Sequence, residues 1–147
     1  MSAIKMINEL NEMGVFELTN PTYIGILPND GGIIEGYPQA ILTYNETHFN
    51  IYTFKGLMRF KYDGNVYKYA FSDLREIELG KYNFKHPYIK LTFKNDKFIA
   101  FTYFKKVRKF PDQSGRIDLF IKLLENTATV IETDRPFTED LESINKE

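Results

Sequence analysis

A chain of 147 residues with 43% hydrophobic side chains is long enough for one ordinary domain with its own core, and too apolar for the disordered regime. The absence of cysteine excludes a disulfide framework, a thiolate zinc site and a cysteine nucleophile, and it fits a reducing compartment, so the cytoplasm is the expected location. A formal charge of -1 argues against a general nucleic-acid binder, while ten Tyr and thirteen Phe favour strands over helices.

The first stretch, "MSAIKMINELNEMG", lacks a basic flank followed by an apolar core, so it does not read as a secretion signal. No later stretch approaches the roughly 20 apolar residues needed to cross a bilayer. Instead, Ser2 is placed to cap a short helix over 3–13, with Ile4, Ile7 and Leu10 on one stripe and Gly14 as its stop. So thin a stripe needs a partner. From Val15 to Pro38 the signals break up: Pro21, Pro28, Pro38 and the run "PNDGGIIEG" mark turns, with a short strand expected over Tyr23 to Leu27. Residues 1–38 therefore read as an N-terminal helix and a lead-in segment.

From Gln39 to Phe104 short runs rich in Ile, Phe, Tyr, Val and Thr recur at the spacing of an antiparallel meander. Seven strands are expected, at 39–44, 48–54, 57–62, 65–71, 74–80, 88–94 and 97–104. The breaks between them are "NET", "KG", "DG", "SD" and "ND". Asp63-Gly64 is the strongest turn signal, because a two-residue hairpin turn needs positive φ at its centre. Asp73 in "FSDLRE" is expected to cap a turn by accepting from backbone amides. "NET" also matches a glycosylation acceptor, which without a secretory route is taken as chance.

Alternation assigns the faces. Phe49, Ile51 and Thr53 oppose His48, Asn50 and Tyr52, while Ile89, Leu91 and Phe93 oppose Lys90, Thr92 and Lys94. The stretch 90–109 holds seven basic side chains against one acidic, and a hairpin turning at Asn95-Asp96 explains how cations and aromatics interleave there. Loop length sets the parity of its return strand. A two- or four-residue loop sends Phe98, Ala100 and Phe104 inward, and a three-residue loop sends Ile99, Phe101 and Tyr103 inward. Either way large side chains remain on the other face, to be met by a partner, by a second copy of the chain, or by the N-terminal segment or the tail. Nucleic acid would require cations and aromatics exposed together, which alternation works against. Lys105, Lys106, Arg108 and Lys109, in a loop at the end of the sheet, are the candidate contacts for an anionic lipid surface.

After Pro111 the period changes from two to 3.6, and "DQSGRIDLFIKLLEN" places Ile117, Phe120, Ile121 and Leu124 on one stripe, widened by Leu119 and Leu123. Asp112 or Ser114 is placed to cap this helix, and Asp118 with Lys122 to form an i, i+4 pair. Residues 127–147, with six acidic and two basic side chains, read as an acidic, flexible tail ordered in part near Val130.

"AILTYNETHFNIYT", "VYKYAFSDLREIEL" and "RIDLFIKLLE" together resemble the bacterial branch of the pleckstrin-homology-like superfamily, including its GRAM-like members, over residues 39–126. The resemblance implies a mainly β fold: a seven-stranded antiparallel barrel or orthogonal sandwich capped by the C-terminal helix, here with a short N-terminal helix added. Inositide-binding members carry a basic cluster across their first hairpin loop, whereas "YNETHF" has neither Lys nor Arg. The Trp such domains usually place in the closing helix is absent, and Phe120 is the candidate to fill its position.

The chemical inventory is thin. His48 and His86 have no Glu or Asp at helical spacing to complete a metal pair. The glycine run "PNDGGIIEG" lacks the strand-to-helix context and the following Lys-Ser or Lys-Thr of a phosphate-cradling loop. Strands this rich in Phe and Tyr fill their own centre. The expectation is a non-enzymatic binding or scaffolding module without cofactor, metal or catalytic residues, acting through protein–protein contact or self-association. The alternative is peripheral binding of anionic lipid through 105–109, and a small-ligand carrier or enzyme ranks below both.

Overall fold

The computed structural model describes residues 3–16, 18–27, 31–56, 61–81 and 86–133. Along the chain run α1 (Ala3–Glu12), β1 (Thr22–Ile26), β2 (Gln39–Tyr44), β3 (His48–Lys55), β4 (Lys61–Ala70), a 3-10 turn at Phe71–Asp73, β5 (Leu74–Lys81), β6 (Pro87–Phe93), β7 (Phe98–Tyr103), α2 (Gln113–Glu125) and β8 (Thr129–Glu132). The strands form one sheet in the order β4-β3-β2-β1-β7-β6-β5-β8. Every pairing is antiparallel except β5 with β8. Up to β7 and α2, this is the expected mainly β arrangement of seven antiparallel strands and a closing helix. Among the described residues no ladder joins β4 to β8, so the sheet folds over as an open sandwich without closing into a barrel.

The seven strands differ from the expected set at two places. The first strand is β1, in the lead-in segment, hydrogen-bonded between β2 and β7. And Asp63-Gly64 does not reverse the chain, because Lys61–Ala70 is a single strand against β3. Tyr52 pairs with Val66 and Phe54 with Tyr62, so Thr53 alone faces residues 63–65. Gly64 does take positive φ (+86°), but it serves a bulge. The Asp63 carboxylate holds that bulge by accepting from the Thr53 hydroxyl at 2.7 Å and the Asn65 amide at 2.8 Å. Residues 57–60, expected as strand, lie outside the described residues.

Parity on β7 follows from its turn. Lys94, Asn95 and Asp96 form a three-residue loop, closed by the Phe93 amide donating to the Lys97 carbonyl at 2.8 Å, with Asp96 in the left-handed region at φ +69°. Leu91 then faces Ile99, and Ile89 faces Phe101. Ile99, Phe101 and Tyr103 accordingly enter the main core with Ile24, Leu42, Phe49, Ile51, Ile77, Ile89 and Leu91.

The outer face is covered too. Ala3, Met6 and Leu10 of α1 are fully buried, and Met6 and Leu10 form a second cluster with Ile41, Tyr52 and Phe54. The buried stripe is rotated from the one expected, leaving Ile4 exposed and Ile7 half-buried. Gly14, at φ +89°, ends the helix as expected, while Ser2 lies outside the described residues. The large outward-facing aromatics of β3 are thus met by the N-terminal segment.

Helix α2 plugs the sandwich. Ile117, Phe120 and Leu124 are buried, and the Phe120 ring lies 5.2 Å from Tyr44, 5.8 Å from Phe49 and Phe71, and 6.3 Å from Phe101. Its start is latched by polar groups. Fully buried Gln113 accepts from the Tyr23 amide at 3.0 Å and donates to the Tyr23 carbonyl at 2.8 Å, completing β1 as a strand neighbour would. Arg116 donates to the Pro21 carbonyl at 2.8 Å, and the Tyr44 hydroxyl donates to the Arg116 carbonyl. Asp112 stands at the cap position without a side-chain cap bond, its carboxylate turned instead to Arg116 at 3.5 Å. That pair replaces the expected Asp118–Lys122 pair.

Beyond α2 the chain returns as β8, inside the segment read as tail, and pairs Glu76 to Leu79 with Thr129 to Glu132. Gly80 permits this close approach, since a Cβ there would sit 2.8 Å from both the Thr133 methyl and the Tyr88 ring.

Truncating the plug is the sharpest test of this architecture. Phe120→Ala should cost about 3–5 kcal/mol of unfolding free energy, measured by urea denaturation. A loss below about 1 kcal/mol would show that Phe120 does not seal the core.

Candidate binding surfaces

Lys105, Lys106, Arg108 and Lys109 are brought together on the turn that follows β7, and all four are exposed. Two anchors shape the turn. Phe110 is buried under the Arg116 guanidinium, which lies 5.1 Å from its ring centre, and its amide donates to the Val107 carbonyl at 3.0 Å, with Lys109 in the left-handed region at φ +58°. None of the four cations makes an ion pair with a described residue. Beside them Phe104 is 47% exposed, its ring meeting His86 edge-on at 4.9 Å. This end of the sheet therefore combines positive charge, unpaired among the described residues, with an accessible aromatic.

The remaining cations of 90–109 are placed elsewhere. Lys90 lies over the Phe98 ring at 4.7 Å on the outer wall. At the opposite end of β6 and β7, Lys94 and Lys97 border an open cleft of about 590 Å³ between the loop at 31–33 and the β6–β7 turn, floored by Tyr69 and Phe93. The cleft also contains Asp73. As expected, Asp73 caps its turn, accepting from the Ala70 amide at 3.4 Å. Nearby Asp96 pairs with Arg75. The charge at that end is mixed.

The run "PNDGGIIEG" forms the β1–β2 connection, described from Gly31 onward. Ile33 donates its amide to the Phe98 carbonyl at 2.8 Å and Ile34 is buried in the main core. Since β1 is the first strand, this connection is the loop of the first hairpin, and residues 27–38 contain no Lys or Arg.

The third surface has no counterpart in the sequence reading. A hollow of about 730 Å³ lies between α2 and the β2–β3 turn, lined by Thr19, Asn20, Tyr44, Asn45, Glu46, Thr47, Leu119 and Leu123. A smaller one adjoins it, sharing Thr19, Tyr44 and Asn45 and adding Phe16, Leu18 and His48. Leu119 is 45% and Phe16 68% exposed. The turn itself is fixed by the side-chain Oδ1 of Asn45, which accepts from the Thr47 amide at 2.9 Å and the His48 amide at 2.8 Å. The widened stripe on α2 was the available signal for this surface, but spacing alone cannot say that Leu119 stays in water while Phe120 goes in.

His48 is exposed and contacts the Thr47 hydroxyl at 2.8 Å, on a different surface from His86. Among the described residues no group of three or more His, Asp or Glu side chains is positioned to hold a metal ion. No described helix is long and apolar enough to cross a membrane.

No family model matches the sequence, and no curated protein matches it. Among solved structures the chain is similar to the hSac2 domain of the human phosphoinositide phosphatase Sac2, at 10% identity and a TM-score of 0.56, over 92% of this chain and 93% of that one. It is also similar to the inner membrane complex sub-compartment protein 3 of Toxoplasma gondii (11% identity, TM-score 0.41, 86% and 88% coverage). A third is the pleckstrin homology domain of USP37 (16% identity, TM-score 0.39, 72% and 95% coverage). At 10% identity the first likeness is one of fold.

Burial raises the hydroxyl of Tyr44 to a pKa of about 12, with the Arg116 charge opposing the shift in part. Burial raises Tyr23 and Tyr103 as well. Below pH 10 these groups are neutral whether the chain is folded or not. Above it the unfolded chain gives up protons that the folded chain keeps, so stability falls as pH rises from 10 towards 12. Urea midpoints measured across that window should therefore decline, and less steeply in Tyr44→Phe. An equal slope in the variant would remove Tyr44 from this account.

Proposed function

We propose that this chain is a non-enzymatic binding module that recognises protein through the hollow between α2 and the β2–β3 turn, with a second copy of itself as the simplest partner. One observation carries the proposal: Leu119 and Leu123 border this hollow from a helix whose Ile117, Phe120 and Leu124 already close the core. Leu119 is exposed, and Leu123, half-buried against the main core, leaves its remaining surface open on the hollow. Phe16 and Leu18 extend it into the adjoining hollow, giving a contiguous patch, which a single exposed Leu would not. The absence of cysteine fits a cytoplasmic setting, and the sequence pattern favours the bacterial, GRAM-like branch of the fold.

Sedimentation velocity over a wide concentration range tests the self-association. The wild-type chain should shift to a faster species as concentration rises, and Leu119→Lys should abolish the shift. Its folding stability should stay within about 0.5 kcal/mol, because Leu119 is half in water already. A wild-type chain that stays monomeric throughout would remove self-association from the proposal.

A second reading, contact with anionic lipid, is favoured by the cations at 105–109, unpaired among the described residues, beside Phe104. Four cations at a strongly anionic surface supply about 4 kcal/mol, which is marginal without help from the aromatic. Co-sedimentation with phosphatidylserine vesicles should then be strong at low salt, lost at high salt, and reduced by Phe104→Ser. Salt-insensitive binding, or none at low salt, would rule this contact out.

A further inference from the structure

We infer that the cleft between the loop at 31–33 and the β6–β7 turn binds a small zwitterion whose two charges are joined by an apolar body, the chemistry of a free dipeptide. It shares no lining residue with the hollows beside α2, so it is a second site, separate from the protein contact proposed above. Its volume of about 590 Å³ falls in the range of small-ligand sites.

The walls are fixed by the fold. On the glycine loop, the Ile33 amide is held by the Phe98 carbonyl at 2.8 Å and Ile34 is buried in the main core. Gly31, at φ +86°, and Gly32 leave this wall bare of side chains, so a ligand reaches the backbone. Lys97, next to Phe98, brings a cation to the same border. Asp73 enters from the 3-10 turn, which the Lys94 amide ties to the β6–β7 turn by donating to the Asp73 carbonyl at 2.9 Å. Tyr69 and Phe93, with ring centres 4.5 Å apart, make the floor apolar.

The polar groups of the cleft retain bonding capacity. Lys94, Lys97 and Asp73 are exposed, and none of them makes an ion pair with a described residue. Asp73 uses one carboxylate oxygen on the Ala70 amide. Asn95 accepts from the Lys97 amide at 3.1 Å through Oδ1, which leaves its NH2 group to donate. Asp96, the carboxylate placed to neutralise these lysines, is drawn off by Arg75. Two cations and an amide donor therefore face one carboxylate across an aromatic floor. A simple anion is repelled by Asp73 and a simple cation by the lysines, whereas a ligand carrying both charges meets a partner for each. Exposed ion pairs contribute little each, so binding is weak and its selectivity lies in the combination.

Amide chemical-shift titration of the full chain with alanyl-phenylalanine tests this. Resonances of residues 31–33, 69, 73 and 93–97 should move and those of 119–123 should not. The N-acetyl form, which lacks the ammonium, and the C-terminal amide form, which lacks the carboxylate, should each bind about three- to fivefold more weakly. Asp73→Asn keeps an oxygen for the Ala70 amide and should bind the free and N-acetyl forms equally. Lys94→Gln combined with Lys97→Gln should bind the free and amidated forms equally. Unchanged amide positions elsewhere in the sheet would show that both variants are folded. Equal binding of all three forms by the wild-type chain, no movement at millimolar dipeptide, or movement at 119–123 instead would overturn the proposal. So would inorganic phosphate moving the same amides as strongly as the dipeptide, because the cleft would then be a plain anion site.

Discussion

The structure depends on one ring. Phe120 enters the core of the folded-over sheet and meets aromatics from separated strands, with Tyr44 on β2, Phe49 on β3 and Phe101 on β7. Each favourable ring contact contributes about 0.5–1.5 kcal/mol beyond area burial, so four of them outweigh any single hydrogen bond at the helix start. The polar latch has a different role. Gln113 and Arg116 bind the carbonyls of Tyr23 and Pro21, which fixes the roll of α2 and hence which side chains point out. Exposure of Leu119 follows from burial of Phe120 together with that roll. The proposed protein-binding surface is thus a consequence of how the core is closed.

What the sequence made legible was whatever depends on period alone. Alternation over 48–53 and 89–93 assigned inward faces correctly, and the 3.6 spacing of Ile117, Phe120 and Leu124 located the plug. Where two structures use the same local conformation, the text could not separate them. Asp63-Gly64 promises positive φ and delivers it, but a hairpin and a bulge both need it, and the choice belongs to β3 across the ladder. The return strand after Asn95-Asp96 depended on a single residue of loop length. The roll of α1 turned on Ala3 and Met6, which bury as readily as the larger Ile4 when the sheet beneath offers Ile41 and Phe54. Pairing of β8 with β5 was hidden for another reason: it is parallel, joins residues some fifty positions apart, and depends on the missing side chain of Gly80.

The candidate sites divide along the same line. Lys105, Lys106, Arg108 and Lys109 were visible as composition, but their lack of partners among the described carboxylates and the exposure of Phe104 are properties of the fold. The supposed excess of aromatics was read correctly in number and left open in destination. Tyr52 and Phe54 lie beneath α1, so the outer wall of β2 and β3 is not the free face that sheet alternation alone would offer to a partner. Apolar exposure moves instead to the edges of the packing, at Phe16, Phe104 and Leu119.

The basic stretch 90–109 is not one patch. Strands β6 and β7 carry its two ends apart by about 20 Å, at roughly 3.3 Å per residue over six residues. That separation is about twice the screening length of 8–10 Å at physiological ionic strength, so the two groups of lysines act on ligands independently. At one end Asp73 and Asp96 are folded in among Lys94 and Lys97, which leaves a mixed field with little long-range pull. At the other end none of the four cations pairs with a described carboxylate, and they share a turn anchored by buried Phe110. The net charge of +6 along this stretch therefore resolves into a mixed end, Lys90 on the wall between, and a concentrated end.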